Sequence, residues 1–251
     1  MTDHVKRRTA PPPGFFEVEA AGLRWLAAAG GARIARVLDV RPESITLERV
    51  PSAVPGKAAA ADFGAALART HDAGATAFGT GPEGWRGDGY IGDAPLPLRP
   101  AARWGEFHAE QRVLPYARAA HRAGGLTDAG LAIVQRLCER LKDGDFDDPA
   151  PPARIHGDLW SGNVLWSPDG VVLVDPAAHG GHRITDLAML ALFGAPHLAT
   201  VLGAYEAASD RLPEGWRELI GLHQVHPLLV HAELFGGGYG AQAAAAASGY
   251  L

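Results

Sequence analysis

Helical periodicity accounts for most of the apolar pattern along this chain. Between Phe15 and Ala29 apolar residues recur on one helical stripe, and Gly30-Gly31 ends this predicted helix. Three further helices are predicted, over Ala58–Asp72, Trp104–Ala123 and Thr127–Lys142. Beyond Thr185 the chain is predicted to be mostly helical, with its Ala-rich tail forming a closing helix or a frayed end.

Strand-like runs lie at the start and in the middle of the chain. The run "HVKRR" predicts one short strand, and "RIARVLDVRPESITLERV" predicts two strands around a turn at Arg41–Ser44. The residues up to about Val50 therefore make a small mixed unit of strand, helix and strands. Further on, "NVLW" and "VVLVD" are joined by "SPDG", a favourable turn sequence, so they predict a β-hairpin.

One long segment, "FGTGPEGWRGDGYIGDAPLPLRP", carries Gly and Pro too closely spaced for regular structure and is predicted to be irregular. Loops of that length inside a compact domain are usually functional or disordered. Trp85, Asp88 and Tyr90 in this segment, together with Trp160, are candidates to flank a sugar. Packing in the core is the equally weighted alternative.

Composition narrows the functional class. The 251 residues, 47% of them hydrophobic and 20% charged, allow one domain or two small lobes. A formal charge of −5 gives no reason to expect a nucleic-acid partner. No apolar run is long enough for a membrane span or a signal peptide, so a cytoplasmic protein is expected. Cys138, the one cysteine, lies in an apolar helical pattern and is predicted to be a buried, inert thiol.

The stretch "HGDLWSGN" carries the strongest chemical signal. Asp158 and Asn163 lie five residues apart at the mouth of the predicted hairpin, and Asp175 ends its second strand. Because the hairpin folds Asp175 back beside Asn163, these two residues are predicted to hold Mg²⁺, a hard cation that prefers oxygen ligands. Asp158 is then placed to accept a proton from an attacking hydroxyl. The spacing matches the kinase pattern of a catalytic Asp and two metal ligands, with Gly157 in place of the usual Arg.

A kinase also needs a cation on the ATP phosphates and a carboxylate that holds this cation. Lys6 on the first strand and Glu19 on the polar side of the first helix are predicted to form that pair. Glu17 is the competing partner.

Several motifs resemble the fructosamine (ketosamine) kinase family: "HGDLWSGNV", "DPAAHGGHRITDLAMLALFG", "DGYIG", "WGEFHAEQRVLPY" and "LFGGGYG". The resemblance covers nearly the whole chain from about Val5. It implies an α+β, protein-kinase-like fold of two lobes, with an N-terminal lobe at residues 1–50 and a mainly helical C-terminal lobe at residues 51–251. It also implies ATP-dependent phosphorylation of the 3-hydroxyl of a fructosamine, free or protein-bound, with ATP and Mg²⁺ as cofactors.

The resemblance also assigns roles to residues. Asp158 would be the base, Asn163 and Asp175 the metal ligands, and Lys6 with Glu19 the phosphate-anchoring pair. Residues 47–50 would be the hinge that meets the adenine, so Glu48 and Val50 are predicted to bind the cofactor. Asp186 would brace the catalytic loop, while Arg183 would contact phosphate or substrate, or pair with Asp186.

One departure from the kinase pattern is at the start of the chain. Only five residues precede Lys6, whereas kinases place two strands and a glycine-rich loop there. The expectation is a reduced N-terminal lobe without that loop, and the alternative is that this sequence begins after it. An aminoglycoside-type or other small-molecule hydroxyl kinase, and a catalytically weak nucleotide-binding pseudokinase, remain the alternatives.

Histidines at helical spacing, His179 with His182 and His223 with His226 and His231, admit a metal-site hypothesis. Because no Cys or carboxylate motif accompanies them, hydrogen-bonded histidines or residues of a substrate cleft are the favoured interpretation. His156 is interpreted as a hydrogen-bonded brace of its own loop.

Overall fold

A computed structural model describes residues 3–251 of the chain. Three antiparallel strands form a sheet near the N-terminus in the order β1–β4–β3. They are β1 (His4–Arg7), β3 (Val37–Arg41) and β4 (Ser44–Leu47). The strand predicted at the start and the strand pair around residues 41–44 are therefore confirmed. In this register Lys6 pairs with Ile45.

The first helix, α1 (Phe15–Ala27), packs its apolar stripe inward. Phe16, Ala20 and Leu23 are all buried, as the periodicity predicts. Glu19 lies on the same helix and is also buried, with 8% of its surface exposed. Glu19 therefore faces the interior of the molecule, whereas Arg24 on the same helix is exposed to solvent.

The sheet arrangement differs from the sequence prediction at residues 33–34. Arg33–Ile34 forms a separate strand, β2, which pairs in parallel with β9 (Gly170–Leu173). Strand β9 also pairs in antiparallel with β8 (Val164–Ser167), which confirms the predicted hairpin. The N-terminal region is thus bonded directly to the hairpin that carries the candidate metal ligands.

The segment predicted to be irregular contains a small hairpin, so that prediction is wrong at residues 89–96. Strands β5 (Gly89–Ile91) and β6 (Ala94–Leu96) pair in antiparallel. Pro95 is tolerated within β6 because this sheet has only two strands, so a proline without an N–H can face away from the ladder. Gly92, with φ of 54°, lies in the turn.

Helices make up most of the remainder, as predicted. Their bounds are α2 (Lys57–Asp72), α3 (Trp104–Phe107), α4 (Leu114–Arg122), α5 (Asp128–Asp143), α6 (Ile184–Phe193), α7 (Leu198–Ala208), α8 (Ile220–Phe235) and α9 (Tyr239–Ser248). A π-helical stretch, His108–Val113, joins α3 to α4 just before Pro115, whose missing N–H interrupts the regular ladder. Within residues 3–251 no helix is long and apolar enough to cross a lipid bilayer.

Two groups of apolar side chains form the core. In the first, Leu23 and Leu47 of the N-terminal region pack in one cluster with Leu67 of α2 and Leu187 of α6. Because this cluster extends across residue 50, the lobe boundary at residues 50–51 stays a prediction. The second cluster lies between the 78–141 region and helices α8 and α9, and it includes Cys138, which is fully buried as predicted.

Candidate active site

A cavity of about 290 Å³ is lined both by the N-terminal region and by the hairpin β8–β9. It brings together five of the residues predicted for the site, namely Lys6, Glu19, Asp158, Asn163 and Asp175. These five residues, which are spread from position 6 to position 175 of the sequence, therefore meet at one cavity. The other two predicted residues, Glu48 and Val50, do not line this cavity.

The loop that carries Asp158 follows β7 (Ala153–Ile155), which pairs with β10 (His179–Gly181). Gly157 adopts a positive φ of 81°, and a Cβ at this position would collide with the carbonyl oxygen of Ala177. Only glycine fits here without strain. This close approach explains why the chain has Gly where the kinase pattern has Arg.

Asn163 ties the catalytic loop to the hairpin. Its Nδ2 donates to the Asp158 carbonyl oxygen at 2.8 Å, to Asp158 Oδ2 at 3.2 Å and to the Asp175 carbonyl oxygen at 3.3 Å. Since the amide nitrogen makes these three bonds, Oδ1 of Asn163 is the atom left to act as a ligand. Asp175 itself has a left-handed φ of 54°, which is uncommon outside glycine.

Lys6 bridges two carboxylates in this cavity. Its Nζ lies 2.7 Å from Oε1 of Glu19 and 2.7 Å from Oδ1 of Asp175. Glu19, and not Glu17, is therefore its partner on α1. Burial alone would lower the pKa of Lys6, but the two carboxylates outweigh it and raise the pKa, so the ammonium stays charged.

Asp158 has the electrostatics of a proton acceptor. Burial raises its pKa from 3.8 to about 7, with the charges of Asp175 and Asp186 adding to the rise and the Asn163 hydrogen bond opposing it. A carboxyl group with a pKa near neutrality is suited to general-base catalysis.

Asp186, fully buried, braces the catalytic loop as predicted. Its Oδ2 accepts from the backbone N–H of His156 at 2.7 Å, and its Oδ1 accepts from the N–H of Gly157 at 2.9 Å. His71 Nε2 lies 3.0 Å from Oδ2, and His71 Nδ1 lies 2.7 Å from the Tyr205 hydroxyl. The sequence analysis did not find His71 or Tyr205, because both lie more than 100 residues from one of their partners.

His156 also supports this loop, in agreement with its interpretation. Its Nε2 lies 2.8 Å from the Val174 carbonyl oxygen, and its Nδ1 lies 3.3 Å from the backbone N–H of Asp158. Arg183 differs from both of its predicted roles. It is 1% exposed, its guanidinium pairs with Asp72 at 2.7 Å and not with Asp186, and it does not line the cavity.

The four candidate sugar-flanking residues separate into two pairs. Tyr90 and Trp160 line the cavity, whereas Trp85 and Asp88 do not. Trp85 Nε1 donates to the backbone carbonyl of Asp88, whose side chain accepts from the Leu98 N–H, so this pair stabilises the loop. Tyr90 donates its hydroxyl proton to the carbonyl oxygen of Pro13 and thereby fixes the β5–β6 hairpin to the start of α1.

The hinge prediction rests on backbone groups. The N–H of Glu48 donates to the Arg36 carbonyl at 2.9 Å, so this donor is already used. The Glu48 side chain lies 3.5 Å from Arg33. The hinge prediction, which stays a prediction, therefore depends on the carbonyl of Glu48 and the N–H of Val50.

A second cavity, of about 170 Å³, shares Asp158, Trp160, Ile91 and Gly92 with the first. Its remaining walls come from α6 and α8 and are mostly apolar: Met189, Pro227, Val230, His231, Leu234 and Phe235. Asp158 thus lines both cavities, one with Lys6 and the metal-ligand candidates and one without them. The sequence motifs did not predict this wall, although Leu234 and Phe235 lie in the motif "LFGGGYG".

The oxygen groups around Asp158 fit Mg²⁺. Asp175 offers a carboxylate and Asn163 an amide oxygen, and Mg²⁺ typically takes one or two protein ligands with the rest from phosphate and water. By contrast, residues 3–251 contain no cluster of three or more His, Cys, Asp or Glu side chains able to hold a metal. The pairs His179–His182 and His223–His226 are buried among aromatic rings instead.

Comparisons with known proteins show the family to which the chain is similar. A family model described as fructosamine kinase matches residues 4–251. The chain is 34% identical over 241 residues to a probable ketoamine kinase of Thermus thermophilus, covering 94% of this chain and 82% of that protein. The crystal structure of a fructosamine-3-kinase candidate from Thermobifida fusca superimposes with a TM-score of 0.88 at 46% identity, over 97% of this chain and 83% of the other.

A more distant structure shares the fold. The choline kinase of Streptococcus pneumoniae has a TM-score of 0.58 at 19% identity, covering 98% of this chain and 85% of that one. This likeness places the chain in the protein-kinase-like fold, as the α+β fold prediction states.

Proposed function

Because the chain belongs to the fructosamine kinase family, and is thus a phosphotransferase that acts on a hydroxyl group, we propose that it transfers the γ-phosphoryl group of ATP to the 3-hydroxyl of a fructosamine. The observation that carries the proposal is the convergence of Asp158, Asn163, Asp175 and Lys6 around one cavity. These residue types match the base, metal ligands and phosphate anchor of phosphoryl transfer.

Asp158 accepts the proton of the attacking hydroxyl. The sugar occupies the second cavity, so that its hydroxyl lies between the Asp158 carboxylate and the terminal phosphate of ATP. As the new bond between the hydroxyl oxygen and phosphorus forms, the bond from phosphorus to the β-phosphate oxygen breaks. The electron pair of the broken bond stays on that oxygen, and ADP leaves. The hydroxyl proton passes to Asp158.

Asn163 Oδ1 and the Asp175 carboxylate would hold Mg²⁺, which would supply positive charge to neutralise the transferring phosphoryl group. Lys6 binds the phosphates, and Glu19 keeps its ammonium in position. Glu48 and Val50 bind the adenine through the hinge backbone. Asp186 and His156 hold the loop that presents Asp158.

The test is a coupled ADP-release assay with ATP, Mg²⁺ and fructoselysine, in which product is identified by mass. Asp158→Asn should lower kcat by about 10²–10⁴-fold, because a positioned base contributes about that factor. Asp169→Asn is the matched control, since Asp169 lies exposed in the β8–β9 turn. Activity with aminoglycosides but with no fructosamine would contradict the proposed substrate, and full turnover in Asp158→Asn would contradict the proposed base.

A further inference from the structure

The second cavity is too small for a whole fructosamine. Its volume is about 170 Å³. Typical sites for drug-sized ligands are roughly 300–1,000 Å³. If the sugar reaches Asp158, as the proposed function requires, the amine substituent must extend outward over the rim of the cavity.

That rim carries large apolar side chains that are unusually exposed. Phe235, the last residue of α8, has 69% of its surface exposed, and Trp160 has 42%. Both line the second cavity. Phe193 has 36% of its surface exposed and lies beside Phe235, with His231 between them. The ring centroid of His231 lies 4.9 Å from that of Phe193 and 5.4 Å from that of Phe235. Grouped exposed apolar side chains at the edge of a cavity mark a binding surface.

The lining of the second cavity carries charge of one sign. Among the described residues that line the second cavity, Asp158 is the one carboxylate and none is Lys or Arg. A carboxylate on the amine substituent would therefore find no cation among these lining residues. A methylene chain, by contrast, would bury apolar area against Phe235 and Trp160.

We infer that the aromatic rim formed by Trp160, Phe193 and Phe235 selects fructosamines whose amine carries an uncharged apolar chain. The alkyl chain of a glycated lysine side chain falls in this class, whereas the α-amine adduct of a free amino acid does not. This inference rests on the proposed function, because it places the sugar in the second cavity.

The test compares kcat/KM for the fructose adducts of butylamine, ethanolamine and glycine. Butylamine and ethanolamine differ in apolar area but not in charge, and glycine adds the carboxylate. The wild type should favour the butylamine adduct over the ethanolamine adduct by about tenfold, as expected for a few methylene-sized contacts. The glycine adduct should be the poorest of the three.

Phe235→Ala should reduce the butylamine preference to less than about threefold, by lowering kcat/KM for that adduct alone, while Phe235→Leu should retain most of it. Leu38→Ala is the matched control, because Leu38 is another exposed apolar residue, at 41%, on the distant strand β3. Equal kcat/KM for butylamine and ethanolamine adducts in the wild type, or an equal loss for both in Phe235→Ala, would overturn the rim while leaving the kinase activity intact. Turnover of none of the adducts would overturn the proposed function together with the rim.

Discussion

Nζ of Lys6 lies 2.7 Å from Oδ1 of Asp175, the carboxylate proposed to hold Mg²⁺. The same ammonium lies 2.7 Å from Glu19, so one cation serves two carboxylates that come from α1 and from the end of β9. A divalent cation on Asp175 would compete with Lys6 for the same oxygen. Lys6 would then lose its contact with Asp175 and turn toward the phosphates that arrive with that cation. Its ion pair with Glu19 would remain.

Lys6→Met should impair both catalysis and stability. It removes the phosphate anchor, so KM for ATP should rise and kcat should fall. It also leaves the buried Glu19 carboxylate unpaired, which should lower the free energy of unfolding by about 1–3 kcal/mol, less than for a fully buried pair because Lys6 is partly exposed. Kinetics and urea unfolding would measure the two effects.

A double variant separates these effects. Lys6→Met with Glu19→Gln should recover most of the lost stability, because the carboxylate that lost its ammonium partner is now a neutral amide, but it should stay inactive. Lys57→Met, at an exposed lysine, should change neither property. Recovery of activity in the double variant would contradict the role of Lys6.

The pKa of Asp158 predicts the pH dependence of the reaction. Because burial raises this pKa to about 7, and only the ionised carboxylate can accept a proton, kcat/KM should increase about tenfold per pH unit below pH 7 and level off above it. An initial-rate profile from pH 5.5 to 9 measures this. A flat profile across pH 6–8 would show that ionisation of Asp158 does not control the reaction.

The same raised pKa makes a prediction about stability. Between about pH 4 and pH 7 the folded state binds more protons at Asp158 than the unfolded state, so this group's contribution to the free energy of unfolding falls as pH rises. Asp158→Asn should therefore have a higher Tm than the wild type at pH 8. The expected increase is a few degrees, since each kcal/mol of stability corresponds to ~2–4 °C in Tm. The difference should shrink at pH 5. A lower Tm for the variant at pH 8 would be the contrary result.

Asp186→Asn tests the brace of the catalytic loop. The carboxylate accepts from two backbone N–H groups and faces His71, whereas an amide replaces one acceptor with a donor. We expect a loss of about 2–4 kcal/mol in unfolding free energy and a fall in kcat, because the position of Asp158 depends on these bonds. Exposed Asp169→Asn serves as the control in urea unfolding. Unchanged stability would show that the loop holds without Asp186.

Buried histidines should make the protein sensitive to acid. Burial lowers the pKa of His108 and of His179 to about 3, and lowers those of His223 and His226 well below their usual range. Below about pH 6.5 these histidines bind protons in the unfolded state but not in the folded state. The free energy of unfolding should therefore fall by about 1.4 kcal/mol for each histidine with every unit by which the pH is lowered. Asp158, one group with the opposite sign, offsets only part of this.

Urea unfolding at pH 7.5, 6.5 and 5 measures that slope. His108→Phe should make this dependence of stability on pH less steep by about 1.4 kcal/mol per pH unit, the effect of one proton. The reason is that Phe can pack against Trp104 without titrating. His4→Ala, at an exposed position, should leave it unchanged. Equal stability at pH 7.5 and pH 5 would contradict the prediction.

Local patterns predicted much of this protein. The periodicity of α1 and the "SPDG" turn depend on neighbours in the chain, so the helix and the β8–β9 hairpin could be read from the residues alone. The hairpin in turn brings Asp175 back toward Asn163, because adjacent strands joined by a tight turn must pair. The proximity of the two proposed metal ligands was therefore predictable from their spacing.

Only the tertiary structure decided contacts between residues that are distant in the chain. The burial of Glu19, the pairing of Arg183 with Asp72 and the support of Asp186 by His71 each join separate elements, and no local period encodes such contacts. The same holds for the wall that β5–β6 and α8 build beside Asp158. Side-chain periodicity specifies which face of an element is apolar, but the partner of that face depends on how all the elements pack together.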